Sequence, residues 1–335
     1  MLIDAGYPII QPVFGSTEVG KQLLVYNIVD SPSVFDVSWQ IENGNEVLAN
    51  RLQSVQEQSD KELLTIYLNT VQPQSAGDAA KSPIHQLFYH RLTGGRLQRF
   101  YGHNRVNTGW LTKIEGTTRS IDDIWNKQWE INGQKYDDSL NSVIQRAIKI
   151  LSPVQSDISV IGHGDAHNGN VFLNYGHNND SMTYFDPAFA GRHSPLLDLA
   201  KPLFHNVFAM WMYFPDIMRN RFQIEVSQKN NTLVVKHDYV LHPIRSMFLK
   251  SKIENVLAPL LHELNEQGYL RKNWREYLKL ALFCCPLLTL NLSDASRFTP
   301  EIATLGLVCS IEMGAESYAV RSTIDRILDS IESSI

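Results

Sequence analysis

The alternation of apolar and polar positions divides the chain into a strand-rich beginning and a mainly helical remainder. Tyr7-Pro-Ile-Ile10, a Gly/Ser/Thr turn at 15–17 and the continuous apolar run Leu23–Val29 predict short strands, the last of them buried and closed by Pro32. From about Glu46 to Leu68 the apolar spacing becomes helical, and the Gln, Ser, Ala, Gly and Pro residues of 71–83 predict a loop before a second helix near Ile84. Trp129–Tyr136 contains an Asn-Gly pair, a dipeptide that takes positive φ in a two-residue hairpin turn at little cost. Leu140, Val143, Ile144, Ala147, Ile148 and Leu151 then mark one face of an amphipathic helix. Ile158–Ile161 reads as a strand running into a polar, Gly-containing loop. Strands at 171–174 and 182–185 flank the turn Gly176-His-Asn-Asn-Asp180. Beyond Ser194 helices are predicted near 195–212, 243–267, 272–290 and 300–330, interrupted by a hairpin pattern over Phe222–Val240 around Asn230-Asn231.

Composition narrows the classes. With 43% hydrophobic residues in 335, the chain has ample material for a packed core. Thirty Lys+Arg against 35 Asp+Glu, a net charge of -5, leave no electrostatic footprint for nucleic acid. The three cysteines, Cys284, Cys285 and Cys309, form no CxxC and argue against a disulfide scaffold or a zinc site. The longest apolar stretch, Ala281–Leu290, contains Pro286 and falls short of the ~20 residues a membrane-spanning helix needs. No basic region followed by an apolar one opens the chain. The expectation is a cytoplasmic α+β protein with no nucleic-acid or membrane partner.

The chemistry concentrates in His163-Gly-Asp-Ala-His-Asn-Gly-Asn170, followed by Tyr184-Phe-Asp-Pro-Ala-Phe-Ala-Gly191 and by Asp198-Leu-Ala200. Hard oxygen donors spread over a loop and a strand end suit Mg²⁺, which takes one or two protein groups and completes its shell with water and phosphate oxygens. Asp165 precedes Asn170 by five residues, the spacing of the kinase catalytic loop, where the Asp receives the proton of the attacking hydroxyl and the Asn holds a metal ion. At residue frequencies of a few per cent, a chance match to all five of His163, Gly164, Asp165, His167 and Asn170 at this spacing is on the order of one in a thousand or less.

These residues resemble the aminoglycoside phosphotransferase and choline kinase group of small-molecule phosphotransferases, whose loop reads His-Gly-Asp-x-His-x-x-Asn. The resemblance implies a protein kinase-like two-lobed α+β fold, with a reduced strand-rich N-terminal lobe and hinge over residues 1–45 and a large, mainly helical C-terminal lobe over 46–335. It implies ATP and Mg²⁺ as cofactors, a small-molecule substrate, and transfer of the γ-phosphoryl group to an alcohol. Asp165 then stands as the catalytic base, with His163 and His167 counted in the catalytic set, Asn170 and Asp186 as metal ligands, and His163 and Asp198 bracing the loop. Here Asp186 sits in Asp-Pro-Ala, where protein kinases have Asp-Phe-Gly.

The Gly-rich loop, the phosphate-binding Lys and its Glu partner of such a fold have no counterpart in the register that matches best. On it, Ala5–Pro12 resembles the entry into the fourth strand of the small lobe, and Leu23–Val29 the fifth strand running into the hinge, with Asn27, Ile28 and Val29 at the adenine. The missing parts are then expected upstream of Met1. A competing register gives Lys21 the phosphate-binding role, with Glu46, Glu57 or Glu62 as partner. A nucleotide- or ligand-binding pseudokinase and a metal-dependent hydrolase are the alternative functions. Gly15-Ser-Thr-Glu-Val-Gly-Lys-Gln22 approaches a Walker phosphate loop, but Gln22 replaces the Ser or Thr and a strand follows, so a hairpin turn is expected. Trp211, Tyr213 and Phe214 are expected in the core rather than as a wall for a cationic substrate, and Arg91, Arg96, Arg99 and Arg119 as surface charge.

Overall fold

The computed structural model describes residues 1–102, 112–176 and 179–335, so His177 and Asn178 of the predicted turn lie outside the described residues. The mixture of helix and strand is the expected α+β class. Asp157–Gly162 is the middle strand of a three-stranded antiparallel sheet between Gln72–Gln74 and Gly191–His193. Val171–Asn174 pairs antiparallel with Ser181–Tyr184, Val171 opposite Tyr184. These two small sheets follow each other in the chain and hold the polar loop between them.

A five-stranded sheet runs in the order Ile224–Lys229, Thr232–His237, Gln128–Ile131, Gln134–Tyr136, Tyr318–Ala319. All its pairs are antiparallel except 232–237 against 128–131. Both predicted hairpins form, and their turns place Asn132, Gly133 and Asn230 at positive φ of 50°, 86° and 53°, where Gly and Asn carry the smallest penalty.

The helix Ala49–Thr70 buries Leu52, Val55, Leu63, Ile66 and Tyr67 on one face and so carries Tyr67 beneath the polar loop. Trp274–Thr289 is apolar on nearly all sides and packs against both Pro195–His205 and Pro300–Gly314, the pattern of a central core helix. One continuous apolar cluster joins these elements. No helix among the described residues is long and apolar enough to cross a membrane.

Several local expectations are corrected. The run Leu23–Val29 is not a buried strand: among the described residues Leu23–Val25 pairs only with Phe14–Ser16, and a two-stranded ribbon has no third layer to cover Leu23 and Leu24, which stay exposed. The 71–83 loop contains the strand Gln72–Gln74, and Pro73 is tolerated because that strand is an edge. No long helix begins at Ile84. A short turn at Pro83–Gln86 and helices Tyr89–Leu92 and Arg96–Tyr101 are separated by Gly94-Gly95. The 195–212 and 300–330 helices are each broken, at residues 206–209 and 315–322, the second by the strand Tyr318–Ala319.

Candidate active site

The strand Asp157–Gly162 delivers His163 and the loop after it. Gly164 has φ of 83°, and a Cβ there would meet the Phe189 carbonyl oxygen at 2.4 Å, so only Gly fits this bend. Asp198, in the first turn of Pro195–His205 and 2% exposed, grips the loop. Its Oδ1 accepts from Gly164 N at 2.5 Å and from His193 Nε2 at 3.0 Å, while Oδ2 accepts from the Tyr67 hydroxyl. Burial works against the Asp198 charge, but these hydrogen bonds outweigh it and hold the carboxyl below its ordinary range. His163 is fully buried. Its Nε2 donates to the Phe185 carbonyl at 3.0 Å and its Nδ1 faces the Asp165 amide at 3.4 Å. Burial lowers its pKa, so a neutral ring ties the loop to the strand end that carries Asp186.

Asp165 is turned toward two side chains. Lys201 Nζ stands 3.2 Å from its Oδ1 and His167 Nε2 3.9 Å from the same oxygen. His167 Nδ1 accepts from the Gly169 amide at 3.1 Å, and burial brings its pKa down to about 4, leaving a neutral ring whose proton is on Nε2. Asn170 Nδ2 donates to the Asp165 carbonyl at 3.0 Å, which directs its Oδ1 the other way. Behind this group His205 is buried and neutral, with Nδ1 2.7 Å from the Tyr213 hydroxyl. Arg91 also borders it. Arg91 is half-buried, and burial, with Arg96 nearby, lowers its pKa to about 10.

Asp186 is exposed and adopts φ of 54°, unusual for a residue other than Gly. Its neighbour Phe185 donates its amide to the Asn170 carbonyl at 3.0 Å, so the two candidate metal ligands are joined through one main-chain bond. Phe185 stacks on Phe172 with ring centroids 4.2 Å apart. A cleft of about 580 Å³ opens here, lined by Leu24, Asn27, Val29, Phe172, Phe185 and Asp186 among others. Ile28, between two lining residues, is 91% exposed and points away. The hairpin reaches the cleft because Pro8 and Ile10 bond to Tyr184 along its edge, Tyr184 N to Pro8 O at 2.7 Å and Ile10 N to Tyr184 O at 3.0 Å.

Among the described residues no group of three or more His, Cys, Asp or Glu could hold a metal ion. The candidate donors are therefore one carboxylate and one amide, Asp186 and Asn170. That set fits a hard cation that keeps most of its shell as water and phosphate, and does not fit zinc.

Other candidates fall elsewhere. Lys21 pairs with Glu18 at 2.8 Å on the surface, and Gly15–Gln22 is hairpin and turn with no helix after it. Trp211 is fully buried, and Phe214 stacks on Trp39 at 3.8 Å. Arg96 donates to the Leu288 and Thr289 carbonyls at the end of Trp274–Thr289, whereas Arg99 and Arg119 are exposed. Sequence reasoning missed Lys201, Tyr67, His193 and His205. Lys201 had a signal, one helical turn after Asp198; Tyr67, from a helix far upstream, had none.

The model of the ecdysteroid kinase-like family matches residues 76–210. The match includes the 163–170 loop, Asp186, Asp198 and Lys201. Over that stretch the chain is similar to a family of protein kinase-like small-molecule kinases, the broader of the relationships the loop pattern implies. No curated protein and no solved structure matches the chain.

Proposed function

We propose that the protein is an ATP-dependent phosphotransferase that moves the γ-phosphoryl group to a hydroxyl of a small molecule. The observation that carries this reading is the cleft: it joins Asn27 and Val29 to Phe172, Phe185 and Asp186, and the Phe185–Asn170 main-chain bond sets the Asp165 loop beside it. Phe172 offers an aromatic face for the purine, and the 27–29 backbone offers hydrogen-bonding groups for its edge. Asn170 and Asp186 would hold Mg²⁺, which supplies charge neutralisation on the nucleotide phosphates. Asp165 accepts the proton of the acceptor hydroxyl as the new O–P bond forms and the bond to the nucleoside diphosphate breaks. His163 and His167, both neutral, orient the loop and transfer no proton. The hydroxyl-bearing group that the matched family's name carries, an ecdysteroid, is a first acceptor to test, alongside choline and aminoglycosides from the loop resemblance.

The test is transfer of labelled γ-phosphate. Asp186→Ala is expected to lower kcat/KM by about 10³-fold or more, the several kcal/mol of a metal-held clamp. Activity retained in that variant overturns the assignment. One observation favours a second reading, binding without transfer: Lys21 pairs with Glu18 at the surface and not with a helix glutamate. Mg²⁺-dependent nucleotide binding with no transfer to any alcohol would select it.

A further inference from the structure

The loop that carries Asp165 has no cation of its own. His163–Asn170 contains neither Lys nor Arg, and the loop's His167 Nε2 stands 3.9 Å from Asp165 Oδ1, farther than Lys201 Nζ. A carboxylate 16% exposed still requires a partner, because an unpaired charge taken out of water is costly. Among the described residues Lys201 alone brings an ammonium or guanidinium within ion-pair distance, 3.2 Å, on a side chain itself 7% exposed. The helix period explains the arrangement. Asp198 and Lys201 are three residues apart on one face of Pro195–His205, so the helix that grips the loop at Gly164 also reaches the next residue, Asp165. The helix Trp274–Thr289 closes the other side, with Cys285 Sγ against the Ala200 carbonyl. Among the described residues Lys201 has no second carboxylate within reach.

We infer that Lys201 is a positioning residue for Asp165, fixing the carboxylate in the rotamer that meets the acceptor hydroxyl before the acceptor arrives. This rests on the kinase reading for the role of Asp165; the ion pair does not. A rigid, buried helix supplies the restraint that a mobile loop cation would otherwise have to provide.

A four-variant cycle tests it: Lys201→Met, Lys201→Arg, Asp165→Asn and the Asp165→Asn/Lys201→Met double variant. Lys201→Met is expected to lower kcat by about tenfold or more while KM for ATP stays within about twofold, and Lys201→Arg to recover most of the loss. In the Asp165→Asn background Lys201→Met is expected to cost nothing further in kcat. Urea unfolding gives a readout independent of activity. The Lys201→Met midpoint is expected to fall, and the double variant to recover, because no unpaired carboxylate remains. Equal kcat losses in both backgrounds, additive midpoints, or a Lys201→Met protein indistinguishable from the parent would each overturn the inference. Coupled unfolding in a protein that transfers phosphoryl to no alcohol overturns the kinase reading and with it the positioning role of Lys201. Transfer without coupling overturns the inference alone.

Discussion

The hydrogen bonds into Asp198 make a stability prediction that separates charge from connectivity. Asp198→Ala would leave the Gly164 N–H, the His193 Nε2–H and the Tyr67 O–H without an acceptor in a site 2% exposed. At about 1–3 kcal/mol for each orphaned donor, the loss is about 5 kcal/mol, comparable with the whole stability of many proteins. Asp198→Asn is different in kind. Its Oδ1 keeps the bonds from Gly164 and His193, and its Nδ2 meets the Tyr67 oxygen, which a rotating hydroxyl can offer as acceptor. What goes is charge assistance, about 1 kcal/mol for each of two retained bonds, so about 2 kcal/mol in total. The folded-state pKa of Asp198 is depressed, so its ionic contribution is present above the unfolded value of about 3.9 and is lost as pH falls through the lower folded value. Urea titrations of the parent and the Asn variant from pH 7 down to pH 3 should therefore show a gap that narrows below about pH 4. A gap of constant size down to pH 3, or an Asn variant as damaged as the Ala variant, would refute the reasoning.

Burial pushes the Glu312 carboxyl up to about 7, against a hydrogen bond from Gln134, while its ordinary value is 4.5. The folded state therefore holds a proton that the unfolded chain releases between these values, and stability should fall with rising pH across that window by about 3 kcal/mol and then level off. Glu312→Gln should abolish this slope, leaving stability unchanged at pH 4 and raised at pH 8 in denaturant titrations; parallel profiles would exclude it. Gly164→Ala should cost about 3 kcal/mol or more and perturb the loop, since the added methyl meets a carbonyl oxygen and φ is 83°. A Gly164→Ala protein with parental midpoint and parental transfer rate would show that the bend does not shape the site.

Much of the candidate site was legible because the chemistry proposed for it needs fixed residue types at short range. Asp165, Asn170, Asp186 and Asp198 lie on a loop, a strand end and a helix start that follow one another, so their order in the chain nearly preserves their order in space. The two hairpins and the helix Leu140–Ile150 were legible for a similar reason: an Asn-Gly turn and a 3.6-residue period are local signals. The run Leu23–Val29 misled because hydrophobicity reports what a strand could bury and not whether a second layer is there to bury it.

The sequence by itself determined the α+β class and the polar 163–198 segment with its candidate base and candidate metal donors, since both follow from residue type and spacing. Only the tertiary structure decided that Tyr67 and His193 converge on Asp198, that Lys201 pairs with Asp165, and that Asn27 and Val29 share a cleft with Asp186. Tyr67 and Asn27 come to their partners from distant segments. Such convergence is set by how helices and sheets pack around a common core, and packing depends on the summed fit of many apolar side chains, which no local period records.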